Sequence, residues 1–88
     1  MDQVEQKFQN FTMFLKDNIK DNTQLSLLSN ANVNLFLETL KKYNNCTPKE
    51  ITDKVCARFD IVLSNYSQDV INKFERYIEY FQKVAHII

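Results

Sequence analysis

Apolar residues recur along this chain at intervals of three and four, the spacing that lines one face of a helix. Val4, Phe8, Phe11, Leu15 and Ile19 form one such stripe and predict a helix over residues 3–20, with Asp2 and Glu5 in a capping pattern at its start. Asp21-Asn22-Thr23 breaks the pattern. Leu25, Leu27 and Leu28 then suggest a helical turn before Ser29-Asn30, and Val33, Phe36, Leu37, Leu40 and Tyr43 define a second helix that ends on Lys41 and Lys42, the favoured charge for a helix C-terminus.

The segment Asn44-Asn45-Cys46-Thr47-Pro48-Lys49-Glu50 stops one helix and starts the next. Asn tolerates the left-handed conformation usually left to Gly. Thr47 is the expected N-cap, Pro48 the first helical residue and Glu50 the partner in a capping box, with Cys46 and Ile51 as a hydrophobic staple. The following helix is expected to carry Ile51, Val55, Phe59, Val62, Leu63 and Tyr66 on one face. Ser67 caps the last helix, with Asp69 in its first turn and Tyr66 placed to staple against Ile71. Val70, Phe74, Tyr77, Phe81, Val84 and Ile88 form its seam.

The pattern therefore predicts an all-α antiparallel bundle of four helices, over residues 3–20, 24–43, 48–64 and 68–87, or five if the second is broken near residue 30. The whole of 1–88 is expected to form one domain. Composition reinforces this prediction, because a chain with no Gly and one Pro lacks the usual hairpin-turn residues, and nowhere do apolar and polar positions alternate for long. With 44% hydrophobic and 25% charged residues the chain should fold in water. A chain this short is expected to be marginally stable, by ~5 kcal/mol.

Charge narrows the choice of partner. Eleven basic and eleven acidic residues cancel to a net charge of zero, and each helical segment mixes both signs. Nucleic-acid binding leans on clustered Lys and Arg, so neither nucleic acid nor an anionic membrane is expected as a partner. The N-terminus lacks a basic region followed by an apolar stretch, which predicts an intracellular protein: cytoplasmic, or in the host cell or virion if viral. Abundant Asn, Lys, Ile, Phe and Tyr with scarce Ala, Pro and Arg follow AT-rich codons, and so suggest a virus, phage or AT-rich microbe as the source.

No constellation for catalysis or cofactor binding stands out. Cys46 and Cys56 are separated by more than two helical turns, too far to form a disulfide, and are assigned as a staple and a small core residue. His86 with two cysteines provides at most three soft ligands from dispersed positions, so neither a metal nor a Cys–His pair is expected. A Gly-rich phosphate loop is impossible without Gly. The sequons Asn10-Phe11-Thr12, Asn45-Cys46-Thr47 and Asn65-Tyr66-Ser67 match by chance, since Phe11 belongs to the core.

The last helix is apolar over more than one stripe. Tyr80 and Ile87 lie about 100° from the seam, with Val84 between them, and await either residues 24–30 of this chain or another protein. Met13 is nearly opposite the core stripe of the first helix. Tyr80, Val84, Ile87 and Met13 are the expected partner-binding residues. The expected function is that of a non-enzymatic protein–protein interaction module, such as a small subunit, adaptor or inhibitor. A self-associating scaffold component is the alternative, and a nucleic-acid-associated accessory protein ranks last.

Overall fold

The computed structural model describes residues 3–19, 33–43 and 45–87. Among them four α-helices occur, α1 (Gln3–Asn18), α2 (Val33–Lys41), α3 (Pro48–Arg58) and α4 (Gln68–Ile87), with a 3-10 turn at Leu63–Asn65 and no strand. They pack on one another as an all-α bundle, with α4 in contact with each of the other three helices. Asp2 and residues 24–32, including the expected break near residue 30, lie outside the described residues, as do Asn44 and Ile88.

The stripe predicted for α1 faces inward. Phe8, Phe11, Leu15 and Ile19 are buried and Val4 is partly buried. The helix ends at Asn18 rather than at residue 20, and the Ile19 N–H still donates to the Leu15 carbonyl at 2.8 Å. Thr12 is buried beside this stripe without cost in lost hydrogen bonding, because its hydroxyl donates to the Gln9 carbonyl at 2.9 Å.

Helix α2 stops at Lys41, short of the predicted residue 43. Its end tightens as the N–H groups of Lys42 and Tyr43 donate to the carbonyls of Thr39 and Leu40.

Helix α3 begins as the sequence prescribes. The Glu50 N–H donates to Thr47 Oγ1 at 3.2 Å, the Thr47 N–H donates to Glu50 Oε1 at 2.9 Å, and Pro48 occupies the first turn. It ends at Arg58, however, six residues before the predicted residue 64. Asp60 takes a left-handed conformation (φ 59°), the Asp60 N–H donates to the Ala57 carbonyl at 3.3 Å, and the Ile61 N–H donates to the Cys56 carbonyl at 2.8 Å. This is the paired hydrogen bonding of a Schellman stop, with an aspartate where Gly is usual. The turn places Ile61 in the core and leaves Val62 outside it, 54% exposed, whereas a continuous helix would have kept Val62 on the buried face.

Helix α4 spans the predicted range, and the Val70 N–H donates to Ser67 Oγ at 3.3 Å in the expected cap. Its seam is rotated from the predicted one. Phe74, Ile78, Phe81 and Ala85 are buried, while Val70, Tyr77 and Val84 are only partly so. A helix that touches three neighbours buries a broader stripe than one periodic row defines, which brings Ile78 and Ala85 inside.

The centre of the core is aromatic. The Phe11 ring centroid lies 5.8 Å from Phe36, 5.5 Å from Phe74, 5.1 Å from Tyr77 and 5.8 Å from Phe81. Phe8 meets Phe81 and Phe14 meets Phe74, so α1 and α4 run antiparallel. Tilted and edge-on pairs of this kind each add about 0.5–1.5 kcal/mol beyond area burial. The segment before α3 is tied to α4 by Gln82 Nε2, which donates to the Cys46 carbonyl at 2.8 Å.

Candidate interaction surface

Tyr80, Val84 and Ile87 follow one another at i, i+4 and i+7 on α4, so the helix itself aligns them. Their environments differ. Tyr80 is half-buried, its ring edge-on to Phe81 at 5.1 Å, with Lys7 Nζ 5.2 Å from its centroid. The same ammonium lies 5.9 Å from the Tyr77 ring, so one cation from α1 covers two aromatic rings of α4. Val84 is half-buried against the core. Ile87 is 84% exposed.

Met13 is also exposed, at 61%, but it stands apart from that group. Its neighbour Phe14 packs on Phe74 and Tyr77 and lies under Lys73 Nζ. From that level to Ile87 is roughly 20 Å along α4 at ~1.5 Å per residue. Met13 and Ile87 therefore cannot share a small contact. Residues 24–30, the intramolecular cover considered for Tyr80 and Ile87, are outside the described residues.

Among the described residues two further large apolar side chains are exposed, Leu35 at 61% and Val62 at 54%. Leu35 is readable in principle, since it lies on the side of α2 away from Phe36, Leu37 and Leu40. Val62 is not, because its exposure depends on the stop at Asp60. Thr39, one turn after Leu35, and Tyr43, just past the end of α2, border a groove between α2 and α3 of about 350 Å³, whose other lining residues are Lys54, Val55, Ala57 and Arg58.

The groups suited to chemistry are dispersed. Cys56 is buried, and desolvation, with a smaller contribution from the Asp53 carboxylate, pushes its thiol up to about 12, which keeps it protonated at neutral pH. Cys46 is half-buried and His86 is exposed in the last turn of α4. Among the described residues no three His, Cys, Asp or Glu side chains are gathered as a metal would need, and no helix is long and apolar enough to cross a membrane.

Comparison with protein families, with curated proteins and with solved structures finds no match for this chain. Its residues and their placement are what speak to its function.

Proposed function

We propose that this chain is a non-enzymatic protein-interaction module whose contact is centred on the end of α4. The observation that carries this proposal is the 84% exposure of Ile87, one turn from the half-buried Val84 and on the same face as Tyr80. An exposed aliphatic side chain beside partly covered apolar neighbours is the arrangement of an interface anchor with its surround. The balanced charge supports a protein partner over nucleic acid, because no net basic field is available to hold phosphates. Small subunit, adaptor and inhibitor roles all use such a contact. A source with an AT-rich genome, viral or microbial, fits the composition.

The test compares baits. Wild-type chain, Ile87→Lys and Met13→Lys are used to capture proteins from source-cell extract, with light scattering over a concentration series on each. A contact at the end of α4 predicts a partner recovered by wild type and by Met13→Lys but reduced at least about tenfold with Ile87→Lys, a loss typical of an interface anchor. Equal recovery by all three baits would remove the proposal. A concentration-dependent mass abolished by Ile87→Lys would instead make the partner a second copy of this chain, as a self-associating scaffold requires.

A further inference from the structure

We infer that the groove between α2 and α3 is a docking site for an acidic, apolar-anchored segment of a partner protein. Thr39 of α2 and Tyr43, in the turn just past its end, form one wall, Lys54, Ala57 and Arg58 of α3 form the other, and Val55 lies at the base. The interior is largely apolar. Among the described residues its charged lining is of one sign, Lys54 and Arg58 contributing two cations and no carboxylate.

Neither cation forms an ion pair within 4.0 Å among the described residues. Lys54 Nζ rests 5.8 Å from the Tyr43 ring centroid, which holds the ammonium at the rim. The carboxylate that feels Lys54 is Glu50, and it is already engaged by the Thr47 N–H in the cap of α3. Leu35, 61% exposed, lies one turn before Thr39 on α2, outside the groove lining but within reach of a segment that runs along it. From Leu35 on α2 to Tyr43 just past its end is roughly 12 Å at ~1.5 Å per residue, enough for two apolar anchors of a short segment.

Two other recesses among the described residues lack this combination. The one beside the start of α3 sets Lys49 and Arg76 against Glu75 and Glu79, so its charge selects no sign, and the one at Phe8 and Val33 carries only Glu5. A peptide is favoured over a nucleic acid strand because the groove offers two charges and an apolar base rather than a basic track, and its one aromatic face is already covered by Lys54. The inference rests on the chain being a protein-binding module, but not on Ile87, which belongs to a different helix and face.

A displayed library of random peptides of about two to four helical turns is selected on the immobilised full chain, and the enriched sequences are synthesised. The expected peptides carry an excess of Asp and Glu around aromatic or aliphatic anchors, and they shift the amide signals of Thr39, Tyr43, Ala57 and Arg58. Their affinity should fall at least about tenfold with Lys54→Glu/Arg58→Glu, fall less with Lys54→Gln/Arg58→Gln, and weaken as salt rises from about 0.1 to 1 M. Ala57→Gln, which fills the groove without altering charge, should also weaken binding. Circular dichroism confirms that each variant is folded, and Ile87→Lys should bind as wild type. No enrichment, peptides without acidic excess, or binding that survives the double charge reversal would overturn the inference. So would a labelled oligonucleotide bound with the same charge sensitivity. Peptides lost only with Ile87→Lys would reject the groove while leaving the α4 contact standing, whereas groove binders alongside equal capture by the three baits would do the reverse.

Discussion

Ile61 donates its N–H to the carbonyl of Cys56 at 2.8 Å, and both residues are buried, so the hydrogen bond that ends α3 also brings the outgoing chain back into the core. Asp60 makes the reversal possible by accepting a left-handed backbone. That conformation costs an L-residue roughly 1–2 kcal/mol, less for Asp and Asn, and most for a β-branched side chain. Asp60→Val should therefore destabilise the fold by about 1–2 kcal/mol, while Asp60→Gly should match wild type or exceed it by up to ~1 kcal/mol. Urea midpoints at constant slope measure both, and equal stability of the Val and Gly variants would contradict the role given to this residue.

The cap of α3 carries a pH signature. The Thr47 N–H, and then its hydroxyl, hold the Glu50 carboxyl below its ordinary value of 4.5, with Lys54 adding a smaller effect. A carboxyl depressed in the folded state gives stability that is present above its unfolded pKa and is lost as pH falls through the folded value. The stability difference between wild type and Glu50→Gln should be constant near neutrality and shrink below about pH 4.5. Thr47→Ala should cost ~1 kcal/mol at neutral pH and reduce the same acid-range dependence without removing it, because the backbone N–H at position 47, the larger cause, remains. A Glu50→Gln difference that grows on acidification would have the wrong sign.

Cys56 and Cys46 should separate by reactivity. The thiolate is the nucleophile, and burial holds the Cys56 thiol at about 12, so little of it is ionised near pH 8 even when reached. Cys46 is half-buried. A thiol reagent in excess should therefore modify one cysteine first, identified by mass spectrometry as Cys46, and modify Cys56 only at a rate that rises with denaturant. Equal rates for both in buffer would show that Cys56 is not sealed.

Where a local rule was sufficient, the residues announced the structure. The capping box at Thr47 and Glu50, the cap at Ser67 and the α1 stripe from Val4 to Ile19 each depend on neighbours within a few positions, and each occurs. The length of α3 did not follow, because periodicity continues through Phe59, Val62 and Leu63 while the chain turns at Asp60. A left-handed aspartate is indistinguishable in a sequence from a solvated one. The buried row of α4 was displaced for a different reason: which of two adjacent stripes faces inward depends on how many helices surround it. Among the expected contact residues, exposure of Ile87 and Met13 agrees with their helix angles, but their separation along α4 required the ring contacts of Phe14. The groove beside Tyr43 joins two helices and leaves no periodic trace at all.

The ring pairs Phe8–Phe81 and Phe11–Phe74 join the first helix to the last, so the centre of this interior is made of partners far apart in the chain. Closing so large a loop is entropically unfavourable until both sides are in place. Phe36 of α2 meets Phe81 of α4 at 5.4 Å without help from α1, yet Phe11 completes the aromatic centre only when α1 is in place. Loss of α1 would leave Phe36, Phe74 and Phe81 without their common partner, Phe11.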